Sequence, residues 1–345
     1  MGWSAVFRVF QNRISMDLSS RIAIIGAGMA GLSCAIALRD AGYQPTLFEK
    51  SRGPSGRMST RTGTGWQCDH GAQYFTARSP EFRAEVSRWE AAGVAALWSP
   101  RLQVLADEQA HQRDAELLRF VGMPRMTAPG RWLAASLSVE AGHSISQLRR
   151  TADGWQLESA EAGWLASQFD IVLLAVPAPQ AAPLLAPEAP EMAALAGAAR
   201  MRGCWALMLQ FGSTLDLPFD AAFVNQGRLR WIARDNSKPG RQGPETWLLH
   251  ATAEWSEARL EDNAKDVEAE LLEAFRQACA PIDIAPPQGS TAHRWRYADS
   301  FPALTQGCIW DQALGLGMCG DWLNGGKVEG AWLSGRQLAA SLMRS

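Results

Sequence analysis

Residues 21–50 leave few folds open to this chain. Ile22 to Ile25 is a short apolar run, the length of a buried parallel strand. Gly26, Gly28 and Gly31 follow in G-x-G-x-x-G spacing. Leu32, Ala35, Ile36 and Leu38 then recur at helical intervals up to Gly42, a helix stop. A second strand, Pro45 to Phe48, ends in the acid Glu49. Each glycine has a mechanical reason: Gly26 allows the tight turn, Gly28 lets the backbone approach a pyrophosphate, and Gly31 lets helix and strand pack closely. The free N–H groups at the helix start, Met29 and Ala30 included, and its positive end suit phosphate oxygens. Glu49 stands where it can accept from a ribose diol. The stretch predicts a βαβ unit that binds a dinucleotide.

The chain has 345 residues, enough for two domains with a substantial core. Its net charge of −2 offers no electrostatic attraction for nucleic acid or an acidic membrane, so neither is expected as a partner. Fifteen Trp against three Tyr leave material for stacking on a flat ligand as well as for core. The six cysteines form no C-x-x-C pair and no His stands at ligand spacing, so no metal is expected and a reduced, cytoplasmic compartment fits best. Residues 1–18 lack the continuous apolar segment of a signal peptide. They read as a disordered or non-native extension, with Met16 just before the first strand and a short amphipathic helix as the alternative.

Beyond Glu49 the loop Lys50–Arg61 holds Gly53, Pro54 and Gly56, which disfavour regular structure and turn the chain back toward the first glycines. Arg57, at its far side, carries a planar fork suited to a phosphate. The run G-A-G-M-A-G-L, then Glu49, then Gly56-Arg57 resembles the flavin-binding half of the amine oxidase and phytoene desaturase superfamily, with Ser55 where that family has a first glycine. Asp69-His-Gly-Ala-Gln-Tyr-Phe75, Trp231 to Arg241, His250 to Trp255 and His293 to Ala298 resemble its bacterial renalase-like members. Near the C-terminus, Gly320-Asp321, a glycine loop and a helix from about Val328 resemble the family's second flavin motif.

The resemblance implies an α/β chain with a Rossmann-like FAD-binding domain of glutathione reductase type, amine oxidase branch, and an inserted α+β substrate domain. FAD would be held non-covalently, with Glu49 and Lys50 at the adenosine ribose and Arg57 near the pyrophosphate. Gly71 and Ala72 would run along the isoalloxazine and Ile145 would touch adenine. Asp321 would bond the ribitol or pyrophosphate, and Val328, Glu329, Gly330 and Ala331 would face flavin N1 and the C2 carbonyl. The implied discontinuous FAD domain takes 19–78, 140–200 and 300–345, and the substrate domain 79–139 and 201–299. Gln73, Tyr74, His250, Trp295 and Tyr297 are the candidate catalytic residues. His70 stands open between a base and a hydrogen-bonded structural residue.

Local patterns predict helices over Ser79–Trp98, Arg131–Val139 and Ser256–Cys279, a three-stranded meander from His143 to Phe169, and a buried strand from Asp170 ending at Pro177. Pro177 to Pro190 reads as a linker or an irregular helix. On a strand, His293, Trp295 and Tyr297 would share one face and could stack a nicotinamide-sized ring, while Arg294 and Arg296 on the other could hold phosphates.

A renalase-like enzyme oxidises isomeric (2- or 6-) dihydro-NAD(P) by hydride transfer to flavin N5, with O2 yielding NAD(P)+ and H2O2. The alternatives are a flavin amine oxidase acting on a small amine and a flavin-bound binding protein without turnover. Amine oxidases of this superfamily usually carry a lysine near N5; of the four lysines here, Lys238 or Lys327 could serve.

Overall fold

The computed structural model describes residues 17–105, 117–224 and 227–344. The expected N-terminal extension lies outside the described residues except for its last two, Asp17 and Leu18, which form part of a turn. Strand β1 (Ile22–Ile25) enters helix α1 (Met29–Asp40), followed by β2 (Thr46–Glu49). A hairpin, β3 (Thr60–Gly63) and β4 (Trp66–Asp69), leads to α2 (Pro80–Ala91), β5 (Ala95–Leu97), β6 (Leu102–Leu105), β7 (Phe120–Gly122), α3 (Ala128–Ala134) and β8 (Ser138–Ala141). The meander β9 (Ile145–Thr151), β10 (Gly154–Ser159) and β11 (Gly163–Phe169) precedes β12 (Ile171–Leu174), α4 (Ala178–Leu185) and α5 (Pro190–Ala198). Then come β13 (Met201–Phe211), β14 (Ala221–Val224), β15 (Leu229–Arg234), β16 (Glu245–Ala251), α6 (Ala253–Ala258) and α7 (Ala264–Cys279). The long β17 (Gly289–Ser300), β18 (Cys308–Asp311), β19 (Leu316–Cys319) and α8 (Lys327–Met343) complete the chain.

One six-stranded sheet runs β18-β19-β12-β1-β2-β8, parallel except for the edge strand β18. Ile22, Ile24 and Leu47 pack toward α1 and α8, whereas Ala23, Ile25 and Phe48 pack toward the meander and α4–α5. Both faces are covered, which is why these strands read as continuous apolar runs. Helix α1 is buried from Met29 to Leu38 because α8 lies across it, with the Ser33 hydroxyl donating to the Trp332 carbonyl at 2.7 Å.

The second six-stranded sheet runs β17-β13-β16-β15-β14-β6. Its Leu207, Leu209, Trp247 and Leu249 pack against Val267, Leu271 and Phe275 of the amphipathic α7. Its other face meets the β3–β4 hairpin through Ala206, Met208, Leu248 and Cys68. The site lies on that side. Among the described residues no helix is long and apolar enough to cross a membrane.

Three helix expectations change. The first helix stops at Ala91, where Gly93 turns at φ +70°, and β5 follows to pair with β7. Only Ala128–Ala134 is helical in the second, since Val139 lies beside Leu47 in the parallel sheet, and pairing there overrides the local pattern. The third divides in two because Thr252 and Asn263 each cap a helix of their own. The 177–190 stretch supplies α4 and the proline that opens α5.

Candidate cofactor and substrate site

The glycines of the first turn have different tasks. A Cβ on Gly31 would lie 2.0 Å from the Gly26 carbonyl oxygen, and one on Gly26, at φ +102°, would lie 2.7 Å from that of Ala175. Those two let the turn close. A Cβ on Gly28 would meet nothing within 4 Å, and no side chain caps α1. The space beside Gly28 and the amides of Met29 and Ala30 together form a cradle of the kind a pyrophosphate fills. Glu49, almost wholly buried, accepts from the Ala27 amide through Oε2 and the Ser51 amide through Oε1, both at 2.9 Å. It therefore also fastens the turn it serves. Lys50 next to it is exposed. His143 donates its amide to the Glu49 carbonyl at 3.0 Å, which brings Ile145 close to the end of β2.

The 50–61 loop does return to the first glycines: Ser55 donates its amide to the Ala27 carbonyl at 2.9 Å, and a Cβ on Gly56 would stand 3.3 Å from Gly28 Cα. Ser55 keeps the positive φ, +105°, of the glycine it stands in for. Its hydroxyl is anchored on the Thr127 carbonyl at 3.0 Å, against Gly130. Arg57 grips Asp321 with both terminal nitrogens, at 2.5 and 3.0 Å, and donates to the Ala298 carbonyl at 3.1 Å. The two flavin-type motifs, 264 residues apart, thus meet in one ion pair. Burial opposes the charge on Arg57, but Asp321 outweighs it, and the guanidinium pKa lies above its ordinary value. Gly71 and Ala72 lie on the Arg57 backbone, the Ala72 amide donating to the Arg57 carbonyl at 2.9 Å.

At the second motif the Gly320 amide donates to Ser334 Oγ at 2.9 Å, and α8 opens from Gly326 without a side-chain cap. Val328, Gly330 and Ala331 lie in its first turns, Gly330 against the Asn324 carbonyl. The carboxylate of Glu329 is turned to the start of α2. It accepts from the amides of Arg78 and Ser79, at 3.0 and 2.6 Å, and so caps the start of α2.

Where β4 meets the second sheet the rings of His70, His293 and Trp295 converge. His70 stacks on Trp295 at 5.1 Å and meets His293 edge-on at 4.7 Å, while His293 and Trp295 are 4.6 Å apart. Trp295 Nε1 donates to the His70 carbonyl at 2.9 Å, and His250 Nε2 reaches the same oxygen at 3.1 Å. A carbonyl only accepts, so His250 carries its proton on Nε2. Burial, with the neighbouring His293 and Arg61, pushes the His70 pKa down to about 3. Burial and Arg230 push that of His250 down to about 3. Burial and Arg61 push that of His293 down to about 4. All three imidazoles are neutral at pH 7.

The remaining candidates are distributed differently. Tyr74 belongs to a second aromatic group, with Trp231 at 5.6 Å, Trp98 at 6.3 Å and the Arg119 guanidinium 5.3 Å over its ring. The β17–β13 ladder shifts register between Arg202 and Cys204, so the two-residue repeat aligning His293 with Trp295 is interrupted before Asp299. Tyr297 falls in that irregular stretch and has no ring contact among the described residues. The expected role of Arg294 and Arg296 on phosphates is corrected. Both point to the α6–α7 side and are held by Glu261, Arg294 also by the Leu260 carbonyl.

Gln73 is buried, with Nε2 on the Asp69 carbonyl (2.6 Å) and Oε1 accepting from Lys238 Nζ (3.2 Å). Lys238 is fully buried between Asp235 (2.9 Å) and Asp69 (3.3 Å), and Arg241 closes on the same Asp69 oxygen. Burial raises the Asp69 pKa, but Lys238 and Arg241 outweigh it and hold the group below the ordinary carboxylate range. The sequence reading missed this cluster. Its signal was present in the two charged runs, Asp69 before His70 and Asp235 to Arg241, but nothing in either run says that they meet.

A family model for an NAD(P)-binding Rossmann-like domain matches residues 24–89. The structure superposes on cyclohexylamine oxidase from Brevibacterium oxydans IH-35A with a TM-score of 0.69 at 13% identity, covering 94% of this chain and 99% of that one. A putrescine oxidase variant, A394C, superposes with the same score, identity and coverage. The fold is that of the FAD-dependent amine oxidases. In sequence, the chain is 30% identical over 331 residues to the tRNA 5-methylaminomethyl-2-thiouridine biosynthesis bifunctional protein MnmC of Magnetococcus marinus, across 82% of this chain and 47% of that protein. It thus spans about half of that relative's length. The L-amino-acid oxidase of Crotalus adamanteus is 34% identical over 70 residues, 20% of this chain and 14% of that enzyme.

Proposed function

We propose that the chain is an FAD-dependent oxidase that takes hydride from isomeric (2- or 6-) dihydro-NAD(P), consuming O2 and a proton and releasing NAD(P)+ and H2O2. Fit to FAD rests on the open space at Gly28, the uncapped starts of α1 and α8, buried Glu49, and the Arg57–Asp321 pair joining the two motifs. Gly26, Met29, Ala30 and Gly31 would line the pyrophosphate, Glu49, Lys50 and Ile145 the adenosine. Gly71, Ala72, Gly320, Asp321, Val328, Gly330 and Ala331 would line the rest. Bound there, FAD supplies a two-electron acceptor at N5 that passes electrons on to O2. The FAD domain in this reading keeps the expected segments, extended to Ser138 because β8 pairs with β2.

The single observation that carries the substrate reading is the neutral wall of His70, His293 and Trp295. A flat ring laid against it meets no cationic imidazole, and the indole face favours the positive charge that grows on a dihydropyridine as hydride leaves. The ring nitrogen's own lone pair expels the hydride, so no protein base is required. Neither candidate lysine stands as a free amine in the site: Lys238 is sealed between two carboxylates, and Lys327 is largely exposed, 3.8 Å from Asp299. His250 and Trp295 hold the His70 carbonyl, and Lys238 holds Gln73, so the wall is fixed before substrate arrives.

Oxidation of a small amine is the second reading, favoured by the amine-acting neighbours and by MnmC, whose name carries a methylaminomethyl group. The test is anaerobic mixing of the FAD-loaded protein with 2- and 6-dihydro-NAD(P) isomers and with amines, followed at the visible flavin band. Rapid bleaching by an isomer is expected. Bleaching by amines alone would move the assignment to the second reading, and no bleaching by any of them would overturn both.

A further inference from the structure

Arg230 on β15 meets its carboxylate through one oxygen only. Arg21, Arg57 and Arg101 each close on both oxygens of a carboxylate. Arg230 gives Nη1 to one oxygen of Asp299 at 2.6 Å, and its Nη2 lies 3.7 Å from Cys204 Sγ. Burial pushes the Cys204 thiol up to about 11, so at neutral pH it is a protonated, poor acceptor. Lys327 Nζ stands 3.8 Å from the other Asp299 oxygen. Two cations thus share one carboxylate, leaving one positive charge in excess. The adjoining Arg200 and Arg202 together balance Glu254 and Glu257 and do not remove it.

The Arg230 and Asp299 side chains are about one-third exposed, at 37% and 33%, so the pair is open to exchange. It borders the ring wall: Arg230 reaches Cys204, the β13 partner of Trp295, and precedes Trp231, the β16 partner of His250, which is bonded to the His70 carbonyl. Ala298, the neighbour of Asp299, is fastened by Arg57, and Lys327 opens α8. The cations therefore lie between the wall and the start of α8.

We propose that Arg230, assisted by Lys327, is an anion subsite that takes the carboxylate or phosphate of a ring-bearing substrate, with Asp299 as its exchangeable counter-ion. The proposal rests on the reading that the substrate ring lies against His70, His293 and Trp295. A planar fork offered by Arg230 suits either anion. A protein that recognises only the ring would not discriminate by charge.

The test is equilibrium binding to the FAD-loaded protein, read by tryptophan fluorescence, using probes that are not oxidised. Nicotinamide mononucleotide is compared with nicotinamide riboside, and nicotinate with nicotinamide. The charged member of at least one pair should bind about tenfold more tightly, the effect of one charge-assisted hydrogen bond. A gain confined to the first pair identifies a phosphate and one confined to the second a carboxylate; either supports the subsite. Arg230→Gln should bring the ratio close to one. Asp299→Asn should raise affinity for the charged probe several-fold, whereas a purely structural ion pair would lose affinity or stability when cut. Equal binding within both pairs by the wild type, an unchanged ratio in Arg230→Gln, or weaker anion binding by Asp299→Asn would overturn the proposal. Because no probe is oxidised, charge discrimination here combined with no flavin bleaching by the dihydro-NAD(P) isomers would sink the reaction assignment and leave the subsite standing.

Discussion

At His70, His250 and His293 the environment, not the residue type, decides the chemistry. Each imidazole has its pKa driven well below the ordinary histidine value, first by burial. The unfolded chain therefore takes up protons near pH 6.5 that the folded chain refuses until about pH 3 to 4. The stability this contributes is complete above pH 6.5 and is lost as pH falls toward the folded values. Each histidine contributes a slope of about 1.4 kcal/mol per pH unit inside that window. The urea midpoint should drop steadily between pH 6.5 and pH 4.5, and less steeply in His250→Gln than in the wild type. A flat profile would mean that these imidazoles are not protected from protons.

At the scale of elements, glycines separate the needs of packing from those of a ligand. A Cβ on Gly335 of α8 would lie 2.1 Å from the Ala30 carbonyl oxygen, so this glycine sets how closely α8 crosses α1. Gly335→Ala should cost about 1–3 kcal/mol in urea unfolding, as overpacking does. Gly28→Ala has open space and a backbone, φ −76° and ψ −179°, that alanine adopts readily. It should unfold within about 0.5 kcal/mol of the wild type yet purify with less bound flavin, since its methyl group enters the cradle. Stability measurements and the visible spectrum of the two proteins together check the division.

At the scale of the molecule, the buried cluster of Asp69, Lys238, Asp235 and Arg241 pins the β3–β4 hairpin to the second six-stranded sheet. The Asp69 amide donates to Asp235 at 3.2 Å and Met126 donates to Asp69 at 3.1 Å, so three stretches far apart in sequence converge on two carboxylates. Lys238→Met removes a cation and leaves buried carboxylates short of a partner, a change that costs about 3–5 kcal/mol. Chemical unfolding should register that loss, and the His70–Trp295 stack should loosen in near-UV circular dichroism. A loss below about 1 kcal/mol would remove the cluster from its role as a pin.

The first nucleotide unit was legible in the sequence because its signals are local: strand, glycine turn, helix and acid lie within thirty residues, and each constrains its neighbour's backbone. The resemblance at Gly320–Asp321 and the helix after it was legible for the same reason. Local pattern failed at Val139, where a place beside Leu47 made a strand of a helical-looking stretch. It failed at Arg294 and Arg296, whose partner Glu261 no spacing rule connects to them. It was silent on the burial of Lys238 between Asp69 and Asp235, on the Arg230–Asp299 pair and on the meeting of His70 with His293, because a side chain's charge state and neighbours depend on which distant strands fold against it. Residues 21–50 determined by themselves that a glycine turn would open onto a helix start. Only the packing of two sheets decided what faces that turn: an ion pair joining Arg57 to Asp321 and, beyond it, a wall of neutral rings.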